Sequence, residues 1–284
     1  MNLRPPPPSR KQAIRSVPRV PRTWQAVLQA AGYPTTVITL DLETYFSTPD
    51  KYSLKDLTVT EYIAHPKFEI LGMASKHVGL TEGDAEWHEG FADTHDYLHR
   101  LQTVYGDDLA GVTISMHNSS FDAQILAMVF RLYPKYLIDT VGLSRQINSR
   151  RKVGLKDLCE EYHLPAKGDT ASFEGLSLKA RTIPAKIMRK KVQPPKRVPP
   201  MSPEQRAAIS SYALNDATLQ WQLCKILLPK ICRSDIELRV CQHTTELATK
   251  PTLMVDFAKA DDIVARMQER ADSAVQEVMR AYGD

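Results

Sequence analysis

The stretch "VITLDLETYF", Val37–Phe46, constrains the fold more than any other part of the chain. Four apolar or β-branched residues lead straight into Asp41 and, two places on, Glu43. A run this apolar predicts a buried strand, and in a strand residues i and i+2 share a face. Both carboxylates therefore leave the strand's end on the same side. Side by side they repel, and burying either is costly unless a positive partner is supplied. Two explanations stand: an exposed acidic strand end, or a hard divalent cation held between the two.

The pattern downstream indicates the kind of sheet this strand joins. "FEILGMASKHV" (Phe68–Val78) and "AEWHE" (Ala85–Glu89) predict strands separated by turn residues. "DTHDYLHRLQTVY" (Asp93–Tyr105) predicts a helix, "GVTISMHN" (Gly111–Asn118) a strand, "SFDAQILAMVFRLY" (Ser120–Tyr133) a helix and "YLID" (Tyr136–Asp139) a short strand. "GLKDLCEEYHL" (Gly154–Leu164) predicts a helix. A longer one runs to about Leu228, opened by Ser202 as N-cap, Pro203 at the first position and Gln205 completing a capping box. Two more, about 234–249 and 257–282, close the chain. Early strands joined by turns, then strand–helix alternation, predict an α/β fold with a mixed sheet flanked by helices.

Net charge is only +4, but it is unevenly placed. Residues 1–40 hold six basic residues and no acid, residues 175–203 hold eight and no acid, and the remainder is acidic. That pattern suits a protein that meets a polyanion at chosen places. The opening "MNLRPPPPSRKQAIRSVPRVPR" is too rich in proline and arginine to build a core. Residues 1–35 are therefore expected to be a disordered basic tail. An organelle leader is the other reading, and the proline density speaks against the amphipathic helix it needs. Residues 36–230 form the main domain, with a basic insertion at 179–201 whose prolines keep it extended, and 231–284 form a helical extension. No apolar run reaches the roughly 18 residues that span a bilayer, so no membrane partner is expected. Cys159, Cys224, Cys232 and Cys241 form no C-x-x-C pair and fit a reducing compartment. His95 and His99 read as two exposed residues one helical turn apart, not as a metal pair.

Two further acids stand in telling places. "HNSSFD" puts Asn118 at a strand end and Asp122 in the first turn of the next helix; "YALND" puts Tyr212 and Asp216 four apart, on one face of a late helix. Either alone is unremarkable, since acids are routine near helix N-termini. In combination, D-x-E at the end of the first strand, N-x-x-x-D at a strand–helix junction and Y-x-x-x-D in a late helix resemble the DEDD 3′–5′ exonucleases, and Tyr212 marks their tyrosine branch. Residues 36–228 most resemble the proofreading domain of family A (DNA polymerase I-like) DNA polymerases, phage enzymes in particular. "LIDTVGLSR" and "GLKDLCEEYHLP" resemble that family's middle segment.

The resemblance implies a ribonuclease H-like fold and hydrolysis of single-stranded DNA 3′ ends, with release of nucleoside 5′-monophosphates. Two divalent ions, Mg²⁺ or Mn²⁺, would lie roughly 4 Å apart. It implies that Asp41, Glu43 and Asp216 hold the ion that activates water, that Asp41 bridges to the second, and that Asp122 holds that one, so the four acids should converge on one metal-sized cleft. Tyr212 would orient the attacking water, because a phenol with a pKa of about 10 is a poor base at neutral pH. Thr44 and Asn118 match positions that grip the terminal nucleotide. The family has an apolar wedge near Ser47; here Phe46 stands beside it as a candidate for stacking on the terminal base, with a core aromatic as the alternative. Within the insertion, Arg189, Lys190, Lys191, Lys196 and Arg197 are candidates for phosphate contacts.

The same resemblance implies a cytoplasmic setting, bacterial or phage-infected, and a polymerase module as partner in trans, for which the apolar residues of 234–284, from Leu238 to Val278, would supply the docking stripe. Alternatives are an RNA-trimming exonuclease and a non-catalytic nucleic-acid-binding module or fragment of a split polymerase.

Overall fold

Strand β1 (Val37–Thr44) lies at the centre of a five-stranded sheet. The computed structural model describes residues 22–183, 187–188, 191–192, 196–250 and 255–282. β2 (Ile70–Val78) and β3 (Glu82–Glu89) form an antiparallel meander on one side of β1, while β4 (Thr113–Met116) and β5 (Leu137–Asp139) continue the sheet in parallel on the other. The order β3-β2-β1-β4-β5, antiparallel then parallel, is the ribonuclease H-like arrangement. Helices α1 (Trp24–Ala31), α2 (Val59–Ala64), α3 (Gly90–Tyr105), α4 (Ser119–Val129), α5 (Thr140–Ile147), α6 (Leu155–Glu161), α7 (Pro203–Leu227) and α8 (Ser234–Thr249) accompany it. α9 (Phe257–Tyr282) falls in a separate unit that begins at Lys250.

Alternation along β1 divides the core. Ile38, Leu40 and Leu42 enter one apolar cluster with Leu98 and Leu101 of α3 and Ile125 and Leu126 of α4. Val37 enters the other, with Leu219, Trp221 and Leu223 of α7. Asp41 and Glu43 share Val37's side, so the acids emerge where α7 crosses the sheet. Small residues set that crossing: Ala74 of β2 meets Ala213 and Ala217 of α7, all fully buried. Beside them, Gly72, paired with Glu43, leaves room for the Trp87 indole, which a Cβ would meet at 2.2 Å.

Three expectations about organisation need correction. Residues 24–35 are not tail: α1 buries Val27 and Leu28, and Trp24 packs edge-to-face on Trp221 with centroids 5.0 Å apart. Burying each such side chain is worth about 1.5–3 kcal/mol, enough to recruit a segment that looks proline-broken from its neighbours. Residues 1–21 of the expected tail lie outside the described residues. Second, α8 belongs with the body: Leu238, Cys241 and Thr245 are buried, Thr245 bonds Ser119 at 2.7 Å, and Gln146 donates to the Glu237 carbonyl. Leu238 is therefore core, while Val240 and Leu247 are exposed, as are Ile263, Val264, Met267, Val275 and Val278 of α9.

Third, the insertion is not a simple extended loop. β6 (Arg181–Ile183) pairs antiparallel with β9 (Lys196–Val198), and β7 (Ile187–Met188) with β8 (Lys191–Val192), so this basic arm carries two separate two-stranded sheets. Arg181 anchors its base by an ion pair with the buried Glu69, and its guanidinium lies 4.0 Å from the Tyr45 ring centroid. Arg189 and Lys190 lie outside the described residues; Lys191 and Lys196 sit on paired strands, and Arg197 is exposed.

Candidate active site

The site opens where β1 outruns its parallel neighbour. β4 pairs with β1 only as far as Thr39↔Ser115, so the last residues of β1 have a free edge on that side. The crevice beyond the carboxyl ends of parallel strands is where open α/β sheets bind ligands. Helix α4 starts in that gap. Asn118, its N-cap, adopts a left-handed conformation (φ 62°), and its amide donates to Asp139 Oδ1 at 2.9 Å. The turn delivers Asp122 to β1, where its Oδ1 accepts the Leu42 amide at 3.0 Å. An acid at a helix N-terminus thus takes a strand hydrogen bond that β4 does not.

Helix α7 supplies the other wall. Tyr212, Asp216 and Gln220 follow a four-residue step and are all buried, so they form one stripe facing the sheet. Gln220 Nε2 donates to Asp41 Oδ1 at 2.6 Å. Asp216 Oδ2 accepts Lys167 Nζ at 2.6 Å, and Asp216 Oδ1 is buried without a partner.

The carboxylates press on one another. Burial, then Asp216, pushes the Asp41 carboxyl up to about 6. Burial, with Asp41 and Asp216, holds Glu43 well above the usual range. Burial and Asp41 likewise raise Asp122, against the opposing pull of the Leu42 amide. Each is raised in part by the charge of another of the set, so the acids at 41, 43, 122 and 216 share one field. Burial, followed by Asp216 and Glu43, raises the Tyr212 phenol far above its ordinary value. A phenol held that firmly to its proton can hydrogen-bond and orient water but cannot serve as the base.

Among the described residues, no three His, Cys, Asp or Glu side chains stand as a ready ligand set. The acids are instead turned to internal donors: Asp41 to Gln220, Asp122 to Leu42, Asp216 to Lys167. The donor chemistry nevertheless fits a hard divalent cation, because every acid supplies oxygen, the set is mutually repelling, and one buried carboxylate oxygen has no partner.

The remaining candidates are distributed around the mouth. Thr44 Oγ1 lies 2.8 Å from the Tyr62 hydroxyl, so that side chain is already engaged. Asn118 is exposed. Phe46 is half-buried against the first core cluster, and its carbonyl accepts the Gly175 amide. His117 bonds Thr140 at 2.8 Å and is pushed down to about 4, by burial first and Lys167 second. His95 and His99 are exposed, with rings 6.5 Å apart. Sequence reasoning missed two residues. Gln220 extends the Y-x-x-x-D step by one more turn and was findable; Lys167 lies in a loop and carries no spacing signal.

The sequence matches the 3′–5′ exonuclease family over residues 77–232, more than half of the chain and inclusive of Asn118, Asp122, Tyr212 and Asp216. No curated protein matches it. Similar solved structures include the catalytic core of RRP6 from Trypanosoma brucei, at 15% identity and TM-score 0.46, covering 84% of this chain and 54% of that one. Brucella melitensis NrnC bound to pGG matches at 15% identity and TM-score 0.45, covering 75% of this chain and 81% of that one. Escherichia coli RNase D, an exoribonuclease involved in structured RNA processing, matches at 16% identity and TM-score 0.38, over 78% of this chain and 48% of that one. The chain thus spans about half the length of the RRP6 core.

Proposed function

The chain belongs to the 3′–5′ exonuclease family, and on that premise we propose that it removes nucleotides one at a time from single-stranded DNA 3′ ends, with two divalent ions and release of nucleoside 5′-monophosphates. The observation that carries this reading is the shared field of Asp41, Glu43, Asp122 and Asp216, brought from one strand and two helices to the same end of the sheet.

Asp41, Glu43 and Asp216 would hold one ion and Asp41 with Asp122 the other. The ions would lower the pKa of bound water and offset charge on the leaving 3′ oxygen. The chain's own groups then position the reaction. Tyr212 keeps its proton and orients the nucleophile beside Asp216. Asn118, exposed at the start of α4, would grip the terminal nucleotide, together with Thr44 at the end of β1, whose hydroxyl lies beside that of Tyr62. Phe46 offers a partly exposed ring for the terminal base.

The DNA preference rests on the resemblance to polymerase proofreading domains. RNA is the competing substrate, and discrimination would turn on contacts to the sugar 2′ position. The test is digestion of 3′- and 5′-labelled single-stranded DNA and RNA of one sequence, with Mg²⁺ and with chelator. Stepwise loss from the DNA 3′ end with Mg²⁺ alone is expected. Faster trimming of RNA would reassign the substrate, and cleavage in chelator would end the metal reading.

A polymerase module in trans remains the proposed partner, with the exposed stripe of α9 as its docking surface. Pull-down of a separately expressed polymerase module by the full chain, lost when Val264, Met267 and Val275 are changed to Ser, is the expected result. The basic arm, including Arg189, Lys190, Lys191, Lys196 and Arg197, is proposed to contact the phosphates of the incoming strand.

A further inference from the structure

One charged side chain at the site has no part in the reading above. Lys167 lies on the loop between α6 and β6, and its Nζ donates to Asp216 Oδ2 at 2.6 Å. The same ammonium stands 5.1 Å from the centroid of the Tyr212 ring. Its neighbour Gly168 lies so close to that ring that a Cβ would meet Cδ2 at 2.9 Å, so the segment is seated against α7 by a residue chosen for closeness. Asp216 is only 2% exposed. A buried carboxylate left without a cation is strongly destabilising, and Lys167 supplies that cation. Its charge also opposes the burden on Asp41 and Glu43.

An ammonium and a divalent ion on the two oxygens of one carboxylate repel across a site of low polarity, so each weakens the other's hold. The lysine is the part that can yield. Its side chain is 26% exposed, its stem is flexible, and its head is a point charge with no fixed fork to unmake.

We propose that Lys167 is the resident counter-ion of the metal site: it holds Asp216 when no metal is bound, competes with the divalent ion for that carboxylate, and is displaced toward the solvent when the ion enters. The inference rests on the reading of Asp216 as a metal ligand. It explains why Asp216 stands turned to an internal donor, and it makes metal affinity a property of a loop residue that is not itself a ligand.

The test is calorimetric titration of the full chain with Mn²⁺, beside thermal melts in chelator, for wild type, Lys167→Met, Lys167→Gln and Lys167→Arg. The neutral variants are expected to bind Mn²⁺ roughly five- to tenfold more tightly, since one competing charge interaction is gone. They should melt lower in chelator and regain the difference at saturating Mn²⁺. Lys167→Arg should stay near wild type in both. A lysine that merely steadied Asp216 would give the opposite sign, so weaker or equal Mn²⁺ binding in the neutral variants overturns the proposal. If Lys167→Met does not fold in chelator, Lys167→Gln, whose amide still donates to Asp216 without the charge, carries the same expectation and the same overturning result. Absence of any Mn²⁺ uptake by the wild type would overturn the metal reading and this inference together; equal affinities with uptake intact would overturn this inference alone.

Discussion

Asp122 Oδ1 and the Leu42 amide, 80 positions apart in sequence, are joined by a 3.0 Å hydrogen bond. One carboxylate therefore both fixes α4 against β1 and contributes to the acidic field. The two jobs separate on substitution. Asp122→Asn keeps an acceptor for Leu42 and removes the charge. It should fold, melt in chelator at or above the wild-type temperature, and lose cleavage. Asp122→Ala loses the bond as well and should melt lower than Asp122→Asn, by the equivalent of about 1–2 kcal/mol. Melts in chelator and a labelled-DNA assay read both; equal melting temperatures would mean the bond contributes nothing.

Asp41 predicts a pH dependence. Its folded carboxyl, pushed up to about 6, prefers the protonated form more than the unfolded chain's does. Stability of the metal-free protein therefore falls as pH rises from about 4 to about 6, and the penalty is complete above that. Asp41→Asn removes the penalty while still accepting from Gln220. It should raise the melting temperature in chelator near pH 8 and have little effect near pH 4. A stabilisation that does not depend on pH would assign it to something other than charge.

Tyr212→Phe should slow cleavage roughly ten- to hundredfold, the scale of a misplaced nucleophile, and leave Mn²⁺ affinity within about twofold. Lys167 still has a ring face to lie over. Unchanged cleavage would remove the positioning role without touching the carboxylates.

Truncation should respect the unit boundary at 249/250. A chain ending at Thr249 should keep its melting temperature and its cleavage of short single strands. One ending before Ser234 strips α8, with Leu238, Cys241 and Thr245, from the body and should melt far lower or fail to fold. Equal stability of the two truncations would contradict the packing of α8 on the body.

The arm is tested by salt. Changing Arg189, Lys190, Lys191, Lys196 and Arg197 to Gln should flatten the salt dependence of single-strand affinity by about 0.7 for each phosphate no longer neutralised, with turnover at saturating substrate nearly unchanged. A slope equal to wild type would show that the arm does not touch the strand.

Much of the fold could be read because hydrophobic period and length agreed: β1, β2, β4, α3 and α7 appear close to their expected bounds. What escaped was short or context-made. α2 has six residues, although Thr58 and Glu61 form a capping box that signals it. α1 holds because Trp24 finds Trp221 nearly 200 positions later, a contact that local pattern does not contain. At the candidate site, the placement of Asp41, Glu43, Asp122, Tyr212 and Asp216 on β1, α4 and α7 was legible because each sits on a regular element where spacing fixes direction. Lys167 was not, because a loop residue reaches its partner by a path no period describes.

The alanine seam has a consequence for how such chains lose function. Ala74, Ala213 and Ala217 act as a feeler gauge: the thickness of a methyl group decides how near Asp216 comes to Asp41. A single added branch at 217 would wedge the helix outward while sparing every acid, tyrosine and lysine named above. Drift at this seam can therefore produce a folded, intact-looking nuclease that is silent, and an inventory of its acidic groups would never flag it.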